Sequence, residues 1–436
     1  MKWFLNLVYL TLLTALSPII IWRSVCHRRY RRGWREKLVG RLPVVSGDRP
    51  VVWFHAVSVG EVLQLQKVVQ AFRDQTRDAF QVLITTSTDT GFELAQSRFQ
   101  DCAVTWFPLD FSWAVSAALD RIRPTLVVLV ELELWPNFLS ECQRRGISTA
   151  IINARMSDRS YRGYRRVRSL IAPILRQITI VAAQNEEYAH RLHDLGVRED
   201  ALSMTGSIKF DGVLCDRFND QTAHLRQLFR ICDSDTILIA GSTQHPEEQM
   251  AVDAWKQLSQ SYPELRLIIV PRHRERFDEA AAAVLSSGCE LVRRSHLSAG
   301  DSVPRTAVIL LDTIGELSAC WGLADIAFVG GSFGSRGGQN MLEPAAFGAA
   351  VMFGPSTSNF RDIVAQLLSA SAAIQLDTID SFMPAVQNLL QQPHHRNQLG
   401  HTARSVVLSQ QGAIDRTISL LIRALPEPSA QHRVAA

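Results

Sequence analysis

Short apolar runs alternate along most of the chain with segments in which apolar positions recur at helical spacing. The runs are rich in Val, Ile and Leu, and they lie at residues 51–57, 80–87, 102–108, 125–135, 148–155, 178–185, 236–243, 265–273, 307–312, 324–332, 349–355 and 372–377. Strands that are apolar throughout are typical of a parallel sheet with helices on both faces. The pattern therefore predicts an α/β protein.

The alternation stops near residues 209–218 and then resumes, which divides it into two halves of similar size. We predict a Rossmann-like domain at residues 43–211, a second one at residues 212–425, and a disordered tail at residues 426–436. Open parallel sheets bind ligands at the carboxyl ends of their strands. If the two domains face each other across a central cleft, candidate site residues should directly follow strands.

The N-terminal segment, residues 1–42, has a different pattern. Residues 3–22 carry no formal charge, and eight Lys and Arg residues with one Glu lie between Arg23 and Arg41. A helix of this length can cross a hydrocarbon core about 30 Å thick, and a basic flank stays on the cytoplasmic side. A cleaved signal peptide would have its basic residues before the apolar stretch, and a buried core helix would not precede such a run. The segment is predicted to be an uncleaved membrane anchor, whether or not it spans fully.

Composition and charge restrict the classes of function that the chain can have. The chain has 436 residues, 47% hydrophobic and 20% charged, which is ordinary for a globular protein. Its net charge is +4, but the basic run alone carries +7, so the remainder is slightly acidic. This argues against a nucleic-acid partner and favours anionic lipids beside the anchor. The seven Cys are dispersed without a CxxC pair, which indicates reduced thiols and no zinc site.

Acidic residues follow two of the predicted strands in the first half. Glu61 ends the sequence HAVSVGE at residues 55–61, at the start of a predicted helix. In a cleft, loss of solvent would raise its pKa toward that of a general base, whereas on a surface it would be an ordinary first-turn acid. Glu131 and Glu133 lie two positions apart at the end of an apolar run, so strand alternation would place them on one face. Lys209 is a cation at the domain junction or a solvated linker residue.

The second half offers candidate anion-binding groups. Arg272 and His273 follow the run at residues 265–273 and suit a phosphate or carboxylate, whereas Arg276 is expected to be a solvated charge. Residues 330–348 read GGSFGSRGGQNMLEPAAFG, a glycine-rich loop that leads into a helix expected to start near Asn340. Backbone N–H groups of such a loop can approach a phosphate, although structural glycines alone could also explain it. Glu343 in the helix could accept hydrogen bonds from a ribose.

Taken in order, the motifs resemble those of the 3-deoxy-D-manno-octulosonic acid (Kdo) transferases of lipopolysaccharide assembly. The resemblance covers residues 1 to about 420, and its blocks are HAVSVGE, ITTSTDTG, VELELWPN, INARMSDRS, AAQNEE, TGSIKFD, PRH and GGSFGSRGGQNMLEPAAFG. It implies a GT-B glycosyltransferase fold, with the lipid A precursor lipid IVA bound by the first domain and CMP-Kdo by the second. It further implies an inner-membrane enzyme that acts on the cytoplasmic face without a metal ion or other cofactor.

The resemblance also implies residue roles in an inverting transfer. Glu61 would be the general base, and Glu131 and Lys209 would stabilise the transition state. The implied contacts to CMP are made by Pro271, Arg272, Ile314, Gly315, Glu316, Asn340, Met341, Leu342 and Glu343. This chain has Leu132 between the two acids, where a polar residue is expected, and Gln339 where the family often has His.

Two other classes of function stay open at this point. One is a membrane-tethered nucleotide- or carbohydrate-binding protein without activity, against which the presence of Glu61, Glu131, Lys209 and Glu343 argues. The other is a GT-B enzyme of a different kind, such as a nucleotide-sugar epimerase, which would not need an anchor for its soluble substrate. The number of Kdo units transferred is not encoded in any motif.

Overall fold

The computed structural model of the chain describes residues 2–27, 32–45 and 47–425. The tail predicted at residues 426–436 lies outside these ranges, as do Arg28, Arg29 and Arg31 of the basic run. The chain forms two compact units: unit 1 comprises residues 1–212 and 411–436, and unit 2 comprises residues 213–410.

Each unit contains one seven-stranded sheet, and every strand pairing in it is parallel. The strands of unit 1 are β1 (Val51–His55), β2 (Gln81–Thr86), β3 (Ala103–Trp106), β4 (Leu126–Val130), β5 (Ser148–Ala154), β6 (Ile180–Ala183) and β7 (Leu202–Met204). Those of unit 2 are β8 (Thr236–Thr243), β9 (Leu265–Pro271), β10 (Glu290–Arg293), β11 (Ala307–Leu310), β12 (Ile326–Val329), β13 (Ala350–Phe353) and β14 (Ala373–Gln375).

Helices connect the strands. They are α1 (Lys2–His27), α2 (Trp34–Val39), α3 (Val59–Thr76), α4 (Asp89–Arg98), α5 (Ser112–Ile122), α6 (Pro136–Arg144), α7 (Asp158–Arg166), α8 (Arg168–Leu175), α9 (Glu186–Leu195), α10 (Asp220–Leu228), α11 (Glu247–Leu258), α12 (Phe277–Ser286), α13 (Leu317–Trp321), α14 (Leu342–Ala346), α15 (Arg361–Ser369), α16 (Phe382–Gln391), α17 (Pro393–Ser409) and α18 (Ala413–Arg423). Short 3₁₀ helices lie at Glu199–Ala201, Phe210–Gly212, Arg274–Arg276, Arg294–His296, Ser358–Phe360 and Ile379–Ser381.

In each sheet, the order in which the strands are added along the chain switches once from one edge of the sheet to the other. The order is β3-β2-β1-β4-β5-β6-β7 in unit 1 and β10-β11-β9-β8-β12-β13-β14 in unit 2. The reversal therefore lies between β1 and β4 in the first sheet and between β8 and β12 in the second. In sheets of this kind, ligands bind in the crevice beyond the carboxyl ends of the strands at such a reversal.

The first sheet is buried on both faces, which explains why its strands are mainly apolar. Trp53 and Phe54 are consecutive in β1 and point to opposite faces. Trp53 packs in one core cluster with Val127, and its ring lies 5.3 Å from that of Phe138. Phe54 packs in a second cluster with Val128 on the other face. The predicted α/β class with parallel sheets is confirmed.

The domain boundary predicted at the C-terminus is wrong. The sequence analysis assigned residues 212–425 to the second domain, but α18 packs on unit 1. Ile418 and Leu421 are fully buried in the cluster that also contains Leu65 of α3. The Asp211 carboxylate accepts a hydrogen bond of 2.6 Å from the Gly412 backbone N–H. The chain therefore returns to unit 1 after unit 2 is complete.

Helix α1 lies against unit 1 at its N-terminal end. The Lys2 ammonium is 3.0 Å from the Glu141 carboxylate, and the Tyr9 hydroxyl donates to Asp110 at 3.0 Å. The buried Asn6 amide donates to the Ser112 hydroxyl at 2.7 Å. By length and composition Lys2–Ile19 could cross a membrane, which alone is weak evidence for an anchor. The described residues of α1 also expose a row of apolar side chains, namely Trp3, Phe4, Leu7, Leu10, Leu12, Leu16, Ile19, Ile21, Trp22 and Val25.

Candidate active site

Glu61 lies in the first turn of α3, directly after β1. The Ser58 hydroxyl donates to one carboxylate oxygen of Glu61 at 2.7 Å, and the Val57 backbone N–H donates to the other at 2.8 Å. The Glu61 backbone N–H donates in turn to Ser58 at 3.3 Å. Burial raises the pKa of Glu61, and these hydrogen bonds oppose the rise. The carboxylate is therefore held in one orientation while each oxygen keeps a further lone pair for another donor.

Glu131 and Glu133 do not lie on a strand, which corrects the alternation argument. Strand β4 ends at Val130, and both acids are half-buried in the loop that follows it. Glu131 has a φ of 59°, in the left-handed region that non-glycine residues seldom adopt. Its backbone N–H donates to the Ile152 carbonyl at 2.9 Å, which holds this conformation. Such strain is concentrated at functional sites.

The three glutamates influence one another electrostatically. Burial, together with the charges of Glu61 and Glu131, raises the pKa of Glu133 to about 7, and the indole of Trp135 opposes the rise. Glu131 likewise contributes to the raised pKa of Glu61. Because β1 and β4 are neighbours at the reversal of strand order, the two loops that follow them meet there. The site residue set inferred from the sequence omitted Glu133, although its spacing from Glu131 had marked it.

Lys209 lies at the same edge of the sheet. The Ile208 backbone N–H donates at 3.2 Å to the side-chain carbonyl of Asn153, the residue before the last in β5. The Lys209 side chain is exposed. Within the described part of the chain, no hydrogen bond or ion pair connects it to Glu61 or Glu131. Glu61 and Glu131 therefore lie close together, and the exposed Lys209 side chain can contact a ligand.

His55 is a supporting residue that the sequence analysis did not single out. It is fully buried, its ring stacks on Phe107 with 3.8 Å between centroids, and its Nδ1 lies 3.1 Å from the Thr85 carbonyl. Burial lowers the pKa of His55 to about 3, so the imidazole is neutral. A neutral ring whose Nδ1–H donates to the carbonyl fixes the end of β1, from which the turn to Glu61 begins.

In unit 2, Arg272 and Glu343 lie near each other although they follow different strands. Arg272 follows β9, its backbone N–H donates to the Thr243 carbonyl at 3.2 Å, and its side chain is exposed. Burial raises the pKa of Glu343, while hydrogen bonds from Asn340 and Ser318 and the charge of Arg272 oppose the rise. The Asn340 amide donates to the Glu343 carboxylate at 2.9 Å. Arg272, Asn340 and Glu343, three of the residues predicted to contact CMP, therefore lie in one cluster.

The other residues predicted to contact CMP differ in which of their atoms a ligand could reach. The side chains of Pro271, Met341 and Leu342 are buried, so only their backbone atoms are candidates, and α14 begins at Leu342 rather than near Asn340. Ile314 is exposed, and Gly315 has a φ of 93°, which explains why glycine occupies this turn. Glu316 is 2.8 Å from the Arg294 guanidinium and also accepts from Thr313, so its carboxylate already has partners.

The glycine-rich loop is organised by a buried acid that the sequence analysis missed. The Glu247 carboxylate accepts backbone N–H groups from Gly331 at 2.7 Å, Ser332 at 3.0 Å and Phe333 at 3.2 Å. It also accepts from Gln244 at 2.9 Å. The expectation that the loop's N–H groups approach a phosphate is therefore wrong for these three residues. Their donors are occupied by an acid 84 to 86 positions away, across the strand-order reversal between β8 and β12.

Arg276 also differs from its expected role as a solvated charge. Its guanidinium is 2.7 Å from the Glu248 carboxylate, which is buried, and 2.9 Å from Glu279. The fork of Arg276 thus connects α11 to the start of α12. Among the described residues, no group of three or more His, Cys, Asp or Glu side chains is arranged to hold a metal ion.

Comparisons with known proteins find a family model and relatives that are similar to this chain. The family model described as 3-Deoxy-D-manno-octulosonic-acid transferase (kdotransferase) matches residues 31–212. The 3-deoxy-D-manno-octulosonic acid transferase of Haemophilus influenzae is 33% identical over 422 residues, which cover 95% of this chain and 97% of that protein.

Solved structures of more distant proteins share the fold. UDP-GlcNAc 2-epimerase from Neisseria meningitidis is 12% identical with a TM-score of 0.57, and the alignment covers 86% of this chain and 100% of that one. MurG from Acinetobacter baumannii is 16% identical with a TM-score of 0.53 and the same coverage. At these identities the likeness concerns the fold alone. It confirms the predicted GT-B type of fold, with two parallel-sheet α/β units.

Proposed function

The chain belongs to the Kdo transferase family and is a glycosyltransferase, and from this premise we propose that it transfers Kdo from CMP-Kdo to lipid IVA. The observation that carries the proposal is the group of glutamates beyond β1 and β4, in which Glu61 is buried and oriented by two donors. A reaction that deprotonates a sugar hydroxyl needs such a carboxylate within hydrogen-bonding reach.

In the proposed reaction, a hydroxyl oxygen of the acceptor sugar attacks the anomeric carbon of Kdo. Glu61 takes the hydroxyl proton, the new C–O bond forms, and the bond from the anomeric carbon to the CMP phosphate oxygen breaks. A single displacement inverts the anomeric configuration. Positive charge that develops on the Kdo ring is stabilised by the carboxylate of Glu131, and Lys209 is a second stabiliser of the transition state. The proposed reaction uses these side chains and no metal ion.

The proposed CMP site consists of residues of unit 2. Arg272 is exposed and lies near Glu343, so it can contact a phosphate while Glu343 accepts from the ribose. The exposed turn at Ile314 and Gly315 and the backbone of Pro271, Met341 and Leu342 complete the contacts. Because Glu247 occupies the N–H groups of residues 331–333, those three groups do not bind the phosphate, and Arg272 is the side chain proposed to hold it.

We further propose that α1 attaches the enzyme to the cytoplasmic face of the inner membrane. Its exposed apolar side chains can contact lipid, and the exposed Arg35 and Arg41 that follow the helix suit anionic lipids. Lys2 and Tyr9 in the first turns of α1 contact the rest of unit 1. A helix whose first turns are held on the globular unit favours a position in the membrane interface over a full crossing.

Mass spectrometry of lipid IVA after incubation with the full-length protein and CMP-Kdo tests the reaction. The proposal predicts a mass increase of one or more Kdo units together with release of CMP. If CMP binds without any mass increase, the inactive-binder alternative is supported. Turnover of a UDP-sugar in place of CMP-Kdo would support an epimerase-like activity instead.

A further inference from the structure

An apolar groove lies between α1 and the rest of unit 1. It has a volume of about 390 Å³. Leu13, Leu16 and Ile19 of α1 form one side, and Phe107, Leu109 and Trp135 lie on the other. A volume above about 300 Å³ with a mainly apolar lining is typical of small-molecule sites.

Both sides of the groove are held in place by contacts within unit 1. On the α1 side, the N-terminal turns are fixed by the contacts of Asn6 and Tyr9 described above. At the end formed by α2, the ammonium of Lys37 lies 3.7 Å from the centre of the Trp106 ring. Its backbone carbonyl accepts the Leu109 N–H at 2.7 Å. The groove is therefore a feature of the folded unit rather than a gap beside a detached helix.

The inner side of the groove continues into the glutamate site. Phe107 stacks on His55 at the end of β1, and its ring lies 5.8 Å from that of Trp135. Trp135 follows Glu133 by two residues after β4, and β4 pairs with β1, which ends at His55 and leads into the turn to Glu61. A molecule with an apolar part in the groove can thus present a polar part to Glu61.

We propose that this groove binds one acyl chain of the lipid acceptor and so positions its sugar hydroxyl at Glu61. The inference rests on the proposed function, because it requires an acylated acceptor. A peptide would need partners for its N–H and C=O groups, and the polar side-chain groups of the lining are limited to the Ser87 hydroxyl, the Lys37 ammonium and the indole N–H groups of Trp34 and Trp135. The exposed apolar row of α1 lies beside the groove, so an acyl chain can enter from the membrane.

A matched pair of variants tests the groove. Leu13→Trp fills it from α1, whereas Leu12→Trp introduces the same side chain one position away, where Leu12 is exposed and does not line the groove. With lipid IVA in detergent micelles, we expect Leu13→Trp to raise the KM for lipid IVA by at least about tenfold, the effect of displacing about two methylene groups. The KM for CMP-Kdo should not change, and Leu12→Trp should behave as wild type.

Photolabelling of the wild-type protein gives a second readout that does not depend on transfer or on the variants' folding. Lipid IVA with a diazirine at the end of its acyl chains should crosslink to the peptide that contains residues 107–109, and unlabelled lipid IVA should compete. If the wild type transfers Kdo but no crosslink maps to the groove, or the two variants have the same KM, the groove proposal is wrong. If the crosslink forms but no Kdo is transferred, the proposed function fails and the groove assignment stands.

Discussion

At the scale of single residues, the three glutamates beyond β1 and β4 differ in their hydrogen-bond donors. Glu61 receives donors from Ser58 and Val57, which favour its charged form. Glu133 lies in a buried environment near two other carboxylates, which raises its pKa to about 7. When Glu133 is protonated, the negative charge stays on Glu61, where a base is needed. Environments that separate the pKa values of neighbouring acids are a common way to assign acid and base roles.

The raised pKa of Glu133 predicts a pH dependence of stability. An acid whose pKa is higher in the folded than in the unfolded state contributes stability that is present at low pH and is lost as the pH rises through about 7. The thermal unfolding temperature of the wild type should therefore be lower at pH 8 than at pH 5. In Glu133→Gln this decrease should be smaller by about 2 °C or more.

Circular dichroism of the full-length proteins at both pH values measures the difference. Glu199→Gln, at an exposed position of unit 1, is the control and should keep the wild-type slope. Equal slopes for the wild type and Glu133→Gln would contradict the coupling among the three glutamates.

Sequence patterns located some of these residues and missed others for a physical reason. Glu61 could be found because its motif is local, a strand followed by a tight turn and a helix. Glu247 could not be found in this way, because three of its four backbone partners lie more than 80 positions away. An acid at the start of a helix looks the same in the sequence whether it faces solvent or organises a distant loop.

At the scale of secondary-structure elements, the strands that the sequence analysis missed are β7 and β10. Both are edge strands, with three and four residues, and neither is buried throughout. An edge strand is covered less completely than a central one, so it can be built without a continuous apolar run, as β7 and β10 are, although the edge strands β3 and β14 have one. The central strands of both sheets were all found, because burial on two faces favours apolar residues along most of their length.

Helix α18 shows that sequence order and packing can disagree. The helix follows unit 2 in the chain but buries Ile418 against unit 1. Ile418→Ala should lower the free energy of unfolding of unit 1 by about 2–5 kcal/mol, since it leaves a cavity in a buried cluster. Ile422→Ala, on the more exposed side of the same helix, is the matched control and should have a smaller effect.

Hydrogen–deuterium exchange can assign the effect to one unit. In Ile418→Ala, exchange should increase in peptides from β1 and α3, and peptides from β8 and β9 should be unchanged. Faster exchange confined to unit 2 would contradict the assignment of α18 to unit 1.

At the scale of the whole molecule, the attachment of α1 determines how the enzyme meets the membrane. The 26-residue helix is about 39 Å long, enough to cross a bilayer, but the contacts of Lys2 and Tyr9 hold its first residues on unit 1. We therefore expect Trp3 to be on the same side of the membrane as Phe218 of unit 2, which is 91% exposed.

Cysteine labelling tests this expectation. In a background in which the exposed Cys26 and Cys232 are replaced by Ser, Phe218→Cys should react with a membrane-impermeant maleimide in inside-out vesicles, and neither Trp3→Cys nor Phe218→Cys should react in spheroplasts. Phe218→Cys serves as the reference for the cytoplasmic side. Labelling of Trp3→Cys in intact spheroplasts would show that α1 crosses the bilayer.

The central claim is that Glu61 removes the proton from the acceptor hydroxyl. The most direct measurement is the mass of lipid IVA after incubation with CMP-Kdo and either the wild type, Glu61→Gln or the exposed-site control Glu199→Gln. We expect Kdo addition by the wild type and the control, and a loss of at least about 100-fold in Glu61→Gln, the range expected when a general base is removed. Binding of CMP and the thermal midpoint should be retained in that variant. Kdo addition by folded Glu61→Gln at the wild-type rate would contradict the account.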